Sequence, residues 1–156
     1  MPDPKNPTPG EITVMAGAAV ALIGSFLDFY SLDFAGASDD RSTWSSGLFP
    51  VATLMVIFAV IIGVLVALTK FANMRLPDRI AGFTWDQIYL VLGFFAALYA
   101  VAYLLVDKGA YDYGIGFWLV LIGCIASFVG AILLQRERAG SRRPGSPGAP
   151  GSPPVA

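Results

Sequence analysis

Four long stretches without a charged side chain restrict the possible folds of this sequence more than any other feature. They are residues 12–27, 42–69, 87–106 and 113–135. About 20 apolar residues allow a helix to cross roughly 30 Å of hydrocarbon, and the last three stretches reach that length. The first stretch reaches it only if Asp28, Phe29 and Tyr30 are added at its end. Because backbone groups in lipid must satisfy their own hydrogen bonds, such runs favour helices over barrel strands.

The composition agrees with a chain whose main solvent is lipid. Hydrophobic residues make up 56% and charged residues 13%, and the mean hydropathy is +0.67, well outside the averages for soluble domains. We therefore expect an all-α membrane protein, a four-transmembrane-helix bundle of two antiparallel hairpins in residues 11–138. The expected spans are residues 11–30, 48–69, 86–106 and 114–135. The Pro-rich leader, 1–10, and the Gly/Pro/Ser-rich tail, 139–156, are predicted to be disordered.

The distribution of basic residues predicts the orientation of this bundle. Eight of the ten Lys and Arg residues fall in the leader, the second loop and the tail, which four spans would place on one side. The positive-inside rule then predicts a multi-pass protein of the plasma (inner) membrane with both termini in the cytoplasm. Seven of these residues are assigned to lipid contact and topology: Lys70, Arg75, Arg79, Arg136, Arg138, Arg142 and Arg143. The opposite face is acidic, which argues against nucleic acid as a partner.

Two local patterns refine the expected boundaries. The segment 31–47 is interpreted as the longest polar loop, and Thr84 with Gln87 is predicted to cap the third helix. An alternative interpretation of the first apolar run is a signal peptide cut near Ala35. The acidic residues before that point and in the leader argue against it, because such peptides need a basic leader.

Small residues spaced four apart predict where the helices contact one another. Helices in lipid associate through close packing, which small side chains permit. Every expected span has such residues, and the fourth also has a glycine at every seventh position. The predicted helix-packing residues are Gly17, Ala21, Ser25, Ala59, Gly63, Ala67, Gly93, Ala97, Gly116, Gly123, Ser127 and Gly130. They indicate either packing within the bundle or a docking face for another membrane protein.

The residues that usually carry chemistry are scarce. Histidine is absent and Cys124 is the only cysteine, so we expect no catalytic residues, no metal site, no cofactor and no enzyme activity. Asp28 is the one acid that could lie at the edge of a span, where a charge is a functional candidate because it is costly. The alternative is an interfacial carboxylate that pairs with Arg41 or Lys108. Aromatic residues near the span ends are interpreted as interface belts.

The order of these segments resembles a known group of proteins. A Pro-rich leader is followed by Gly-Ser-Phe-Leu-Asp-Phe-Tyr at residues 24–30, by Gly-Ile-Gly-Phe-Trp at 114–118 and by a Gly/Pro/Ser tail. This layout is similar to small four-helix membrane proteins of actinobacteria related to the mycobacterial 34 kDa antigenic protein homologue. The resemblance covers residues 11–138 and implies the same membrane architecture. It implies no catalytic or binding residue, and the tail here is shorter than in that group.

Two functions agree with these features. The first is a non-enzymatic accessory or scaffold module that packs beside a larger membrane complex or self-associates. Its partners would be the lipid bilayer and a membrane protein or a second copy of the chain. The second is a small oligomeric transporter or channel with an acidic outer vestibule that gathers cations.

Overall fold

The computed structural model describes residues 6–34, 37–45, 50–72, 82–105 and 112–141, which form four helices and a small sheet. The helices are α1 (Pro9–Ser25), α2 (Val51–Phe71), α3 (Trp85–Leu105) and α4 (Ile115–Ser141). The strands are β1 (Asp28–Phe34), β2 (Ala37–Ser42) and β3 (Asp112–Tyr113). The four expected helices are therefore present and most of the described residues are helical, but the chain also has a small sheet that the all-α prediction did not include.

Three of the helices are long and apolar enough to cross a membrane. These are α2, α3 and the segment Ile115–Gly140 of α4, whereas α1 is apolar but has only 17 residues. The structure is thus compatible with an integral membrane protein. The expected span 11–30 is wrong at its end, because the helix stops at Ser25 and Asp28 already belongs to β1.

Helices α1 and α3 both begin at identifiable capping residues. The Thr84 amide donates to Gln87 Oε1 at 3.0 Å, and α3 begins at the next residue, as predicted. At α1, Thr8 Oγ1 accepts from the Glu11 amide and Glu11 Oε2 accepts from the Thr8 amide, which together form a capping box. Pro9 and Gly10 are helical, so the expected leader is wrong at its last two residues. Residues 1–5 and 142–156 of the expected disordered ends lie outside the described residues.

The helices pack side by side as antiparallel neighbours. α1 contacts α4 and α2, and α3 contacts the same two helices on the side of the bundle opposite α1. Gly10 approaches Leu134 while Gly24 approaches Gly116, so α1 and α4 run in opposite directions. One end of the bundle holds Lys70 and Arg138 and is called the charged end below. The other end holds the three strands and is called the sheet end.

The sheet replaces the polar loop expected at residues 31–47. Its strand order is β2-β1-β3, and both pairings are antiparallel. The register shifts between Asp28 and Tyr30, which is a β-bulge or a similar irregularity. Phe29 and Tyr30 are both buried although they are neighbours in the chain. Side chains in a regular strand alternate between the two faces, so this irregularity removes the alternation by which a strand is recognised in a sequence.

Candidate functional site

The most extensive helix–helix contact in the described bundle joins α1 to α4, and glycines of both helices lie along it. A Cβ added at Gly17 would lie 2.8 Å from the Gly123 carbonyl oxygen, and one added at Gly123 would lie 2.6 Å from the Gly17 carbonyl oxygen. No real Cβ tolerates such distances, so the two backbones touch directly. The reciprocal approach is the geometry in which Cα–H groups contact carbonyl oxygens across a helix pair. This contact is called the glycine seam.

The seam extends along the whole of α1. Gly24 and Gly116 approach each other at the sheet end, Gly130 lies against Val14, and Gly10 lies against Leu134. Three further predicted packing residues on these helices are buried, namely Ala21, Ser25 and Ser127. The glycines Gly10, Gly17 and Gly24 repeat every seven residues, as do Gly116, Gly123 and Gly130 in α4. Gly10 and Gly24 were missed because only spacings of four were considered in α1.

The other predicted packing residues lie on α2 and α3. A Cβ at Gly63 of α2 would clash with Ala18 Cβ, and one at Gly93 of α3 would lie 3.1 Å from Phe128 Cα. Ala59 and Ala97 are buried between helices. Ala67 is only partly buried and lines a shallow apolar groove of about 220 Å³ between α1 and α2. The structure therefore places each predicted packing residue at or beside a helix contact.

At the charged end, the amino terminus of α1 is held by both neighbouring helices. Lys70 Nζ of α2 lies 3.3 Å from Glu11 Oε2 and donates to the Asn6 carbonyl at 2.9 Å. From α4, Glu137 Oε1 accepts from the Gly10 amide at 3.0 Å. Carboxylates at a helix amino terminus are favourable because the first amides are unpaired and the helix dipole is positive there. Glu137 Oε2 is buried without a hydrogen bond from any described residue.

A second ion pair joins α3 to α4 at the same end. Arg138 Nη1 donates to Asp86 Oδ1, and the guanidinium carbon lies 5.8 Å from the centre of the Tyr89 ring. Of the predicted lipid-contact residues, Lys70 and Arg138 are thus engaged within the protein, whereas Arg136 is exposed. Arg75, Arg79, Arg142 and Arg143 lie outside the described residues. The sequence analysis did not predict the acidic partners of these basic residues. Acidic residues close to the basic helix ends were the signal that could have identified them.

At the sheet end, aromatic rings close the bundle. Phe29 contacts Tyr103 and Phe117 edge to face at 5.5 and 5.2 Å, and Tyr113 stacks on Phe117 at 4.2 Å. The Tyr113 hydroxyl donates to the Tyr103 carbonyl at 2.8 Å. Burial, with Tyr113 and Tyr103 nearby, raises the pKa of the Tyr30 phenol to about 12, so it stays neutral. For Phe29, Tyr30 and Phe117 the interface-belt interpretation is wrong, because these rings are in the core.

Asp28 does not occupy the edge of a helix as expected. It is exposed at the start of β1, paired in register with Ser42, while Arg41 lies opposite Tyr30. Lys108, the other expected ion partner, lies outside the described residues. The Asp28 carbonyl instead crowds Gly114, where a Cβ would clash. The structure thus gives Asp28 a backbone role where the sheet meets α4.

The described part of the bundle core has few polar side chains, and those within the helices bond to backbone. Ser25 Oγ donates to the Leu22 carbonyl, Thr53 Oγ1 to the Thr43 carbonyl and Ser127 Oγ to the Gly123 carbonyl. Among the described residues no group of three or more His, Cys, Asp or Glu could hold a metal ion. Comparison of the chain with protein-family models and with curated proteins found no match.

Proposed function

We propose that this chain is a multi-pass membrane protein in which all four helices cross the bilayer, and that it acts as a non-enzymatic accessory module for another membrane protein. The observation that supports four crossings is the glycine seam. If α4 crosses the membrane, α1 lies at the same depth, because the two helices touch from Gly10 to Gly24. A helix of 17 residues is about 25 Å long, and the charged and sheet ends limit it at either side.

The charge distribution supports a cytoplasmic charged end. Lys70, Arg136 and Arg138 lie at the same end as the amino terminus of α1. The positive-inside rule places such an end in the cytoplasm, with the sheet outside. Both termini are then cytoplasmic.

The exposed outward face of α3 is the observation that supports the accessory role. Only 28% of its span is buried within the protein, against 44% for α2 and 50% for α4. Apart from Gln87, its exposed residues are apolar along the helix and include Leu98, Val101, Leu104 and Leu105. The buried hydroxyl groups of Ser25, Thr53 and Ser127 donate to backbone carbonyls. A rigid bundle with one open apolar helix is suited to packing beside another membrane protein.

Single-cysteine labelling tests the four crossings. Cys124 is buried and can be replaced by Ala, after which one cysteine is added at Asn6, Asp39 or Arg136. A membrane-impermeant maleimide applied to intact cells should label only the variant at position 39. If α1 does not cross, positions 6 and 136 lie on opposite sides, and labelling of one of them without permeabilisation overturns the proposal.

Site-specific photo-crosslinking tests the accessory role. A photoreactive amino acid replaces Leu98 or Val101 on α3, and the matched control is Ile125 on the exposed face of α4. We expect one stoichiometric protein adduct from α3 and none from position 125, identified by mass spectrometry after purification in mild detergent. Adducts to lipid alone at all positions contradict the accessory role. A pure oligomer with uptake or electrical activity would favour the transporter alternative.

A further inference from the structure

We propose that the groove between α3 and α4 binds one acyl chain of an anionic phospholipid from the cytoplasmic leaflet, with its phosphate at Arg136. This inference depends on the proposed crossing of the membrane by α3 and α4. The groove has a volume of about 470 Å³. Its lining is almost entirely hydrocarbon and includes Leu90, Phe94, Phe95, Phe128, Ile132 and Gln135.

The groove occupies only half the depth of the bundle. It is closed at mid-depth, where Gly93 lets α3 approach Phe128 and where the Phe94 and Phe128 rings meet edge to face at 5.9 Å. From there it runs to Leu90 and Gln135 near the charged end. The seven helical steps from Phe128 to Gln135 correspond to a rise of about 10 Å, which is within one leaflet of roughly 15 Å.

This length distinguishes a lipid chain from a partner helix. A transmembrane helix is about 10 Å wide and would need a complementary surface through both leaflets. A single acyl chain is narrow and ends within one leaflet, so it fits a short cleft closed at mid-membrane. Aromatic walls offer a chain more contact area than the mobile chains of bulk lipid do.

The charge at the open end of the groove indicates an anionic headgroup. Lys70 faces Glu11 and Arg138 faces Asp86, so both cations already have carboxylate partners. Arg136 follows Gln135 directly, is exposed, and has no ion pair with any residue that the structure describes. The Gln135 amide, also exposed, offers a further donor at the rim. A guanidinium beside an amide is a good receptor for phosphate oxygens.

The test uses the full chain in bilayers that contain a phospholipid with a photoreactive acyl chain. The labelled lipid is phosphatidylglycerol in one sample and phosphatidylcholine in the other, and adducts are mapped to peptides. We expect phosphatidylglycerol to label the 128–135 peptide about fivefold more than phosphatidylcholine. This ratio is the attraction of one arginine to an anionic headgroup, about 1 kcal/mol, converted to a ratio of binding constants. Arg136→Gln should reduce labelling by phosphatidylglycerol to that by phosphatidylcholine.

Two variants distinguish the groove from the rest of the lipid-facing surface. Ile132→Trp fills the groove and should abolish the preferential labelling, whereas Ile125→Trp adds the same bulk on an exposed face of α4 and should leave it unchanged. Equal labelling by both lipids with no effect of Ile132→Trp overturns the lipid site but leaves the membrane crossing intact. If the lipid labels none of α2, α3 and α4, both the lipid site and the membrane crossing are overturned. A protein adduct in place of lipid at the groove also overturns the site.

Discussion

Helix α4 packs against α1 on one side and against α3 on the other, and the two contacts differ in kind. Toward α1 it presents glycines, and backbone meets backbone. Toward α3 it presents Phe128, which rests on Gly93 and on the Phe94 ring. A Cβ added at Gly123 would lie 2.6 Å from the Gly17 carbonyl oxygen, so a helix would have to shift, whereas one added at Gly93 would lie 3.1 Å from Phe128 Cα, which needs a displacement of only a few tenths of an ångström. The first contact should therefore be intolerant of added volume, and the second should adjust.

The largest expected effect comes from adding bulk to the glycine seam. Gly123→Leu would place a side chain where even a Cβ lies 2.6 Å from the Gly17 carbonyl oxygen, so we expect a loss near or above the upper end of about 1–3 kcal/mol. The measurement is thermal melting in detergent together with the yield of folded protein. Gly140→Ala is the control, because open space surrounds Gly140, and it should not destabilise the protein. Cys124→Ala should be milder than Gly123→Leu, and equal tolerance of both would contradict the seam.

A smaller effect is expected where α3 meets α4. Gly93→Ala introduces a Cβ 3.1 Å from Phe128 Cα and 3.5 Å from the nearest atom of its ring. The higher helix propensity of Ala, worth up to about 1 kcal/mol, should offset most of this crowding. Gly17→Ala gains the same propensity but meets the Ser127 amide at 2.7 Å, so it should destabilise the protein clearly more. If the two alanine variants melt at the same temperature, the contrast between the contacts is wrong.

The part of the fold that depends on one-dimensional patterns could be predicted from the sequence. The four apolar runs predicted the four helices, and Thr84 predicted the start of α3. The spacing of small residues predicted positions that lie at or beside helix contacts. What could not be predicted depends on pairings across the chain. Asp28–Phe34 forms a strand only because 37–42 and 112–113 pair with it, and its irregular register hides the alternation. Likewise, spacing marks Gly17 as a contact residue but does not identify Gly123 as its partner.

The smallest effect concerns the ion pair that ties α2 to α1. Lys70 and Glu11 are 14% and 15% exposed, so their attraction is only partly screened. A double-mutant cycle with Lys70→Met and Glu11→Gln should give a coupling of about 1 kcal/mol, the upper end for such pairs. Melting at low and high salt is the measurement. A coupling near zero would mean that the ion pair contributes little. The effect of each single change would then come from the hydrogen bond of Lys70 to Asn6 and from those between Glu11 and Thr8.

The glycine seam also determines when the bundle can be completed during synthesis. Its two halves, α1 and α4, are the first and last helices that the structure describes, so α1 emerges long before its principal partner. At usual rates of translation the delay is on the order of ten seconds. During this interval the glycine face of α1 lacks α4, because α1 contacts α2 elsewhere, where Ala18 meets Gly63. Completion of α4 is therefore the step that covers this face of α1, and a ribosome that stalls before α4 leaves the glycine face of the nascent chain uncovered.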